Sequence, residues 1–106
     1  MASLKPNPTI KEFQEYIEII NKERGFDKES GKDKFILFME EVGELARAIR
    51  KHENLPTSSD TKKAHGISEE LADLFICLLN FANIYDIDIE KAFREKEEKN
   101  NQRAWK

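Results

Sequence analysis

Four carboxylates carry most of the chemistry this sequence offers: Glu41 and Glu44, three residues apart, and Glu70 and Asp73, three apart again. On a helix, residues at i and i+3 are neighbours on one flank. The second pair is part of a longer stripe, because Glu70, Asp73, Cys77 and Asn80 recur at i, i+3, i+7 and i+10. Around that stripe lie Leu71, Leu74, Phe75 and Ile76. An ionised carboxylate in such surroundings is costly unless something cationic compensates it, and otherwise takes up a proton. If the helices carrying the two pairs pack antiparallel, Glu41, Glu44, Glu70 and Asp73 converge. Four formal negative charges at a half-buried site require a divalent cation.

The donor set narrows the choice of ion. All four donors are hard carboxylate oxygens, which favours Mg2+ or Mn2+ over zinc or copper. Di-iron helical bundles use Glu-x-x-His pairs, whereas the third-residue partners here are Glu44 and Asp73. His52 and His65 lie at a helix end and in a loop. A lone Glu-x-x-Glu is common on solvated helix faces. The Glu-x-x-Asp set in an apolar helix gives the pairing its weight.

The elements that must position these acids are helical, since the dominant apolar period is that of a helix. A first helix starts at Thr9, where Thr9 and Glu12 form a capping box. It carries Phe13, Tyr16, Ile17 and Ile20, and Gly25 ends it. Gly25 to Gly31 reads as a loop. A second helix runs from about Lys34 to about His52, with Phe35, Phe38, Val42, Leu45, Ala46 and Ile49 as its expected core face. Asn54 to Gly66, rich in Pro, Ser, Thr, Asp and Lys, reads as an exposed, mobile loop. A third helix follows Ser68 as N-cap and continues to about Tyr85. It is apolar almost all round, which predicts a homo-oligomer built on it. A fourth begins at Asp88 and turns almost wholly polar beyond Arg94. The expected fold is all-α: a four-helix bundle protomer that oligomerises through its helices.

Bulk properties bound the function class. A chain of 106 residues predicts one domain spanning 1–106. Its net charge of -3 argues against nonspecific nucleic-acid binding, which needs a basic footprint. No apolar run approaches the length of a membrane span, and Met1 to Pro8 lack the apolar core of a secretory signal. A single cysteine, Cys77, suits a cytoplasmic location.

The motifs, taken together, resemble a known family. Glu40-Glu41-Val42-Gly43-Glu44 followed by Glu70-Leu71-Ala72-Asp73 is similar to the EExxE…ExxD signature of the MazG-like nucleotide pyrophosphohydrolases. The likeness extends over EVGELARA, EELADLFICLL and KEEKNNQRAW, covering about two-thirds of the chain from Phe35 onward. The resemblance implies hydrolysis of a nucleoside triphosphate, commonly a non-standard or surplus dNTP, to monophosphate and pyrophosphate. It implies a four-helix protomer that forms a homodimer or homotetramer. It implies that Glu41, Glu44, Glu70 and Asp73 hold Mg2+, and that Glu40 serves further metal binding or water activation. It also gives Lys96, Lys99, Asn100 and Arg103 a role at the substrate phosphates. Three of these, Lys96, Asn100 and Arg103, fall at i, i+4 and i+7 and so share one helix face. The family segment often ends in an aromatic followed by proline, whereas Trp105 is followed by Lys106.

Two other readings use the same residues. An acidic helical oligomer could be a non-enzymatic interaction module, which leaves Asp73 among Leu74, Phe75 and Ile76 unexplained. A metal-dependent hydrolase of another phosphorylated metabolite shares every residue named.

Overall fold

The computed structural model describes residues 2–54 and 66–103. These form four α-helices, and no strand occurs among them. The helices are α1 (Ile10–Arg24), α2 (Gly31–His52), α3 (Ile67–Ile84) and α4 (Ile89–Asn101). The expected loop after Asn54, with His65, falls on residues 55–65, outside those described, and so do Trp105 and Lys106.

Local bonds explain most helix ends. Thr9 Oγ1 accepts the Glu12 amide at 3.1 Å, and Glu12 returns a carboxylate oxygen to the Thr9 amide at 2.9 Å. Gly25, at φ 79°, closes α1 with the Phe26 amide on the Asn21 carbonyl and its own amide on Lys22. That is a Schellman motif, which needs a left-handed residue. Helix α2 starts three residues earlier than the sequence suggests, because Ser30 and Asp33 form a second capping box. Helix α3 begins at Ile67 rather than after Ser68: the Glu70 amide bonds back to the Gly66 carbonyl, placing Ser68 inside the first turn. Asp88 caps α4 by accepting the Lys91 amide.

The chain divides into two compact units. One comprises Met1–Lys28 with Leu79–Lys106, where α1 and α4 pack together. Ile17, Ile20, Leu79 and Ala82 are its buried apolar residues. Gln14, also buried, ties α1 to the α3–α4 turn. Its amide nitrogen donates to Asn83 Oδ1 and the Ile87 carbonyl, its oxygen accepts the Ile89 amide, and Asn83 donates to the Gln14 carbonyl. Asn21 donates to the buried Asn80.

The other unit, Glu29–Leu78, holds α2 and most of α3. Its inward face differs from the expected one. Phe35 is 54 % exposed, and Val42, Ala46 and Ile49 are exposed too, while Phe38 and Leu45 are half-buried. The inward stripe of α2 is instead Lys34, Phe38, Glu41, Leu45 and Ala48, of which Lys34 and Ala48 are buried. On α3, Leu71 and Ile76 are exposed, whereas Glu70 is buried and Asp73 and Cys77 are half-buried. The cause lies in the polar stripe. Turning Glu41 toward Glu70 and Asp73 rotates the apolar residues beside it outward.

Candidate metal centre

Helix α2 brings Glu41 to the site through its inward heptad-like spacing, and α3 brings Glu70 and Asp73 on one flank, one turn apart. The three carboxylates offer oxygens that all lie within 4.8 Å of one another. Glu70 is only 1 % exposed. Its side chain shares a hydrogen bond with Glu41, yet its Oε2 atom is buried and receives no hydrogen bond. Such a buried oxygen beside two further carboxylates is suited to a cation, which takes up lone pairs that no N–H reaches.

Electrostatics point the same way. Burial, the hydrogen bond to Glu70, and the charges of Asp73, Glu70 and Glu44 push the Glu41 carboxyl up to about 7. Like charges at this spacing repel, and Glu41 keeps its proton up to near neutral pH in response. Proton uptake and cation binding are the two ways of relieving them. The donor set, all hard oxygen, fits a divalent cation of the magnesium type.

Not every expected residue joins the cluster. Glu44 is exposed and outside the group of three, although its charge is felt at Glu41. Glu40 is exposed on the side of α2 away from the converging oxygens. Lys96 and Lys99 are exposed on α4, Asn100 is half-buried, and Arg103 follows the helix end, its amide on the Asn100 carbonyl. These four belong to the unit that does not contain the acids.

Residues 29–106 match the family model of the MazG nucleotide pyrophosphohydrolase domain. The chain belongs to this family. No curated protein matches the chain. The MazG match covers the three clustered acids, Glu40, Glu44 and the basic segment of α4, and leaves α1 outside it. Among the described residues, no helix is long and apolar enough to cross a membrane.

One buried polar residue of α2 stands outside the residues that the sequence singles out. Lys34 is buried, 8 % exposed, and lies seven residues before Glu41 on the same inward stripe. Its signal was that spacing, together with the apolar run Phe35, Ile36 and Leu37 that follows it.

Proposed function

We propose that the chain, acting as a single domain over residues 1–106, hydrolyses a nucleoside triphosphate to the monophosphate and pyrophosphate with Mg2+ held at Glu41, Glu70 and Asp73. A dNTP or a non-canonical NTP is the proposed substrate class. The observation that carries the reading is the convergence of these three carboxylates around a buried Glu70 oxygen, in a chain of the MazG family.

A divalent cation at such a site polarises a phosphoryl oxygen and lowers the pKa of water. The chain's own residues supply the rest. Glu41, Glu70 and Asp73 would hold the cation, and Glu44, exposed one turn on, would add its negative charge from the solvent side. Glu40, the exposed residue that precedes Glu41 on α2, is the proposed acceptor of the proton of the attacking water. Lys96, Lys99, Asn100 and Arg103 would meet the charge of the phosphates, with arginine able to contact two oxygens at once. The exposed apolar residues Phe35, Met39, Val42, Leu71 and Leu78 support a homodimer or homotetramer that covers them.

The deciding experiment is a panel of canonical and modified nucleoside triphosphates assayed with Mg2+ for monophosphate and pyrophosphate. Wild-type protein should release both products in equal amounts. Glu41→Gln and Asp73→Asn should abolish release while retaining the helical circular dichroism. Wild-type turnover by both variants on the same panel would refute the metal-site assignment.

A further inference from the structure

We propose that Lys34 is a positioning residue that receives the pyrophosphate end of the substrate, with Glu29 as its resting partner. This inference rests on the hydrolase reading above and adds a residue to it. A buried lysine is uncommon, because desolvating an ammonium is costly unless an anion stands beside it. Lys34 is 8 % exposed, and its Nζ atom lies 3.1 Å from Glu29 Oε1 on the loop before α2. Glu29 is the more solvent-accessible of the two, with a side chain 31 % exposed against 10 % for the lysine.

The position of Lys34 relative to the acids follows from helix geometry. Lys34 and Glu41 are seven residues apart, which is nearly two turns and about 10.5 Å along the axis, on one face. Cys77 is half-buried on α3, one turn beyond Asp73. Its thiol experiences the charges of Glu41, Asp73 and Lys34 together, with burial the strongest influence on it. Glu41 converges with Glu70 and Asp73, and Cys77 feels the charge of Lys34, an order that antiparallel helices would give. A single polar row thus passes from the three carboxylates by Cys77 to the Lys34 ammonium, and ends at Glu29 on the rim.

A row with a cation-binding cluster at one end and a fixed cation at the other suits a diphosphate. One phosphoryl group would meet the divalent cation and the other would meet Lys34. The lysine's four-carbon stem lets its ammonium exchange Glu29 for a phosphate oxygen without moving the helix. In the free protein Glu29 pairs with the ammonium, and a phosphate oxygen takes the place of Glu29 on binding.

The full-length chain is tested by titration calorimetry with two probes: Mn2+ alone, and inorganic pyrophosphate in saturating Mg2+. For Lys34→Met, pyrophosphate affinity should fall at least ten-fold while Mn2+ affinity stays level or tightens, since a nearby positive charge has gone. Lys34→Arg should recover most of the lost pyrophosphate affinity. Glu29→Gln should tighten pyrophosphate several-fold by removing a carboxylate that competes for the lysine. With a nucleotide that is turned over, Lys34→Met should raise KM more than it lowers kcat.

Unchanged pyrophosphate affinity in Lys34→Met, or parallel loss of Mn2+ and pyrophosphate binding, would overturn the proposal. So would a wild-type protein that does not bind pyrophosphate with Mg2+. If Lys34→Met does not fold, Glu29→Gln decides, and unchanged or weaker pyrophosphate binding there overturns the proposal. Failure of the hydrolase reading looks different: wild-type protein binds Mn2+ and pyrophosphate, Lys34→Met loses the latter, and no nucleotide is cleaved.

Discussion

A carboxylate as buried as Glu70, sharing a hydrogen bond with a second carboxylate, works against folding unless a cation is present. Removing its charge should therefore separate stability from function. Glu70→Gln is expected to unfold at a higher temperature than wild type at pH 8 in EDTA, and to show no further rise with millimolar Mg2+. A variant that still gains as much from Mg2+ as wild type would remove Glu70 from the ligand set. The pH dependence follows from Glu41. Its carboxyl rises from an ordinary value of 4.5 to about 7, with burial the first cause. Below 4.5 the group is neutral folded and unfolded; above 7 it is charged in both states. In the absence of metal, the stability linked to this raised value is therefore full at low pH and lost as pH climbs through 7. Divalent cations compete with the same proton, so the thermal shift produced by Mg2+ should be larger at pH 8 than at pH 6. Scanning calorimetry at the two pH values, with and without the ion, checks the sign. An equal or larger shift at pH 6 would place the titrating group away from the metal.

At the scale of elements, the two ends closed by Schellman motifs differ in one residue. Gly25 holds the left-handed position after α1, whereas Asp86, at φ 54°, holds it after α3, with the Ile87 amide on the Ala82 carbonyl. A side chain in that conformation costs about 1–2 kcal/mol, and a negative charge beside the last carbonyls of a helix adds to the cost. Asp86→Gly should stabilise the protein by roughly 1 kcal/mol, offset in part by glycine's entropy, which a urea melt would register as a higher midpoint at unchanged slope. The helix ends also show what could be read in advance. Thr9, Gly25 and Asp88 marked boundaries correctly because each closes its helix through bonds to near neighbours. The box of Ser30 with Asp33 was passed over because its third residue is usually Glu or Gln, and α2 was started late as a result. The acids were found as a spacing pattern, and three of the four do converge. Which side of each helix turns inward was not legible. Periodicity groups residues by face, but only the pairing of Glu41 with Glu70 and Asp73 selects the polar stripe over the greasier one beside it.

For the whole molecule, that rotation leaves a surface a folded chain would ordinarily cover. On α2, Phe35, Met39, Val42 and Ile49 are all exposed, each three, four or seven residues from the next, and Leu71, Ile76 and Leu78 are exposed on α3. Gly43 sits among the α2 residues, in mid-helix, and a Cβ atom built on it would meet nothing within 4 Å among the described residues outside its own helix backbone. A glycine there costs the helix close to 1 kcal/mol relative to alanine, with no neighbour among the described residues to account for it. A second copy approaching α2 closely would account for both the glycine and the bare apolar residues beside it. The two cases give opposite results on Gly43→Ala. If α2 faces water, the variant should gain about 1 kcal/mol of stability and keep the wild-type molar mass in light scattering. If another chain packs against it, the added methyl should weaken assembly, so that mass falls at low micromolar concentration and the melting temperature becomes more concentration-dependent. Phe35→Glu, which charges the same face without touching the helix backbone, should dissociate the assembly in that second case. Where α2 faces only water it should leave the mass unchanged. The oligomer proposed above requires loss of mass in both variants. Retention of mass by both would leave the apolar face of α2 out of any assembly the chain forms.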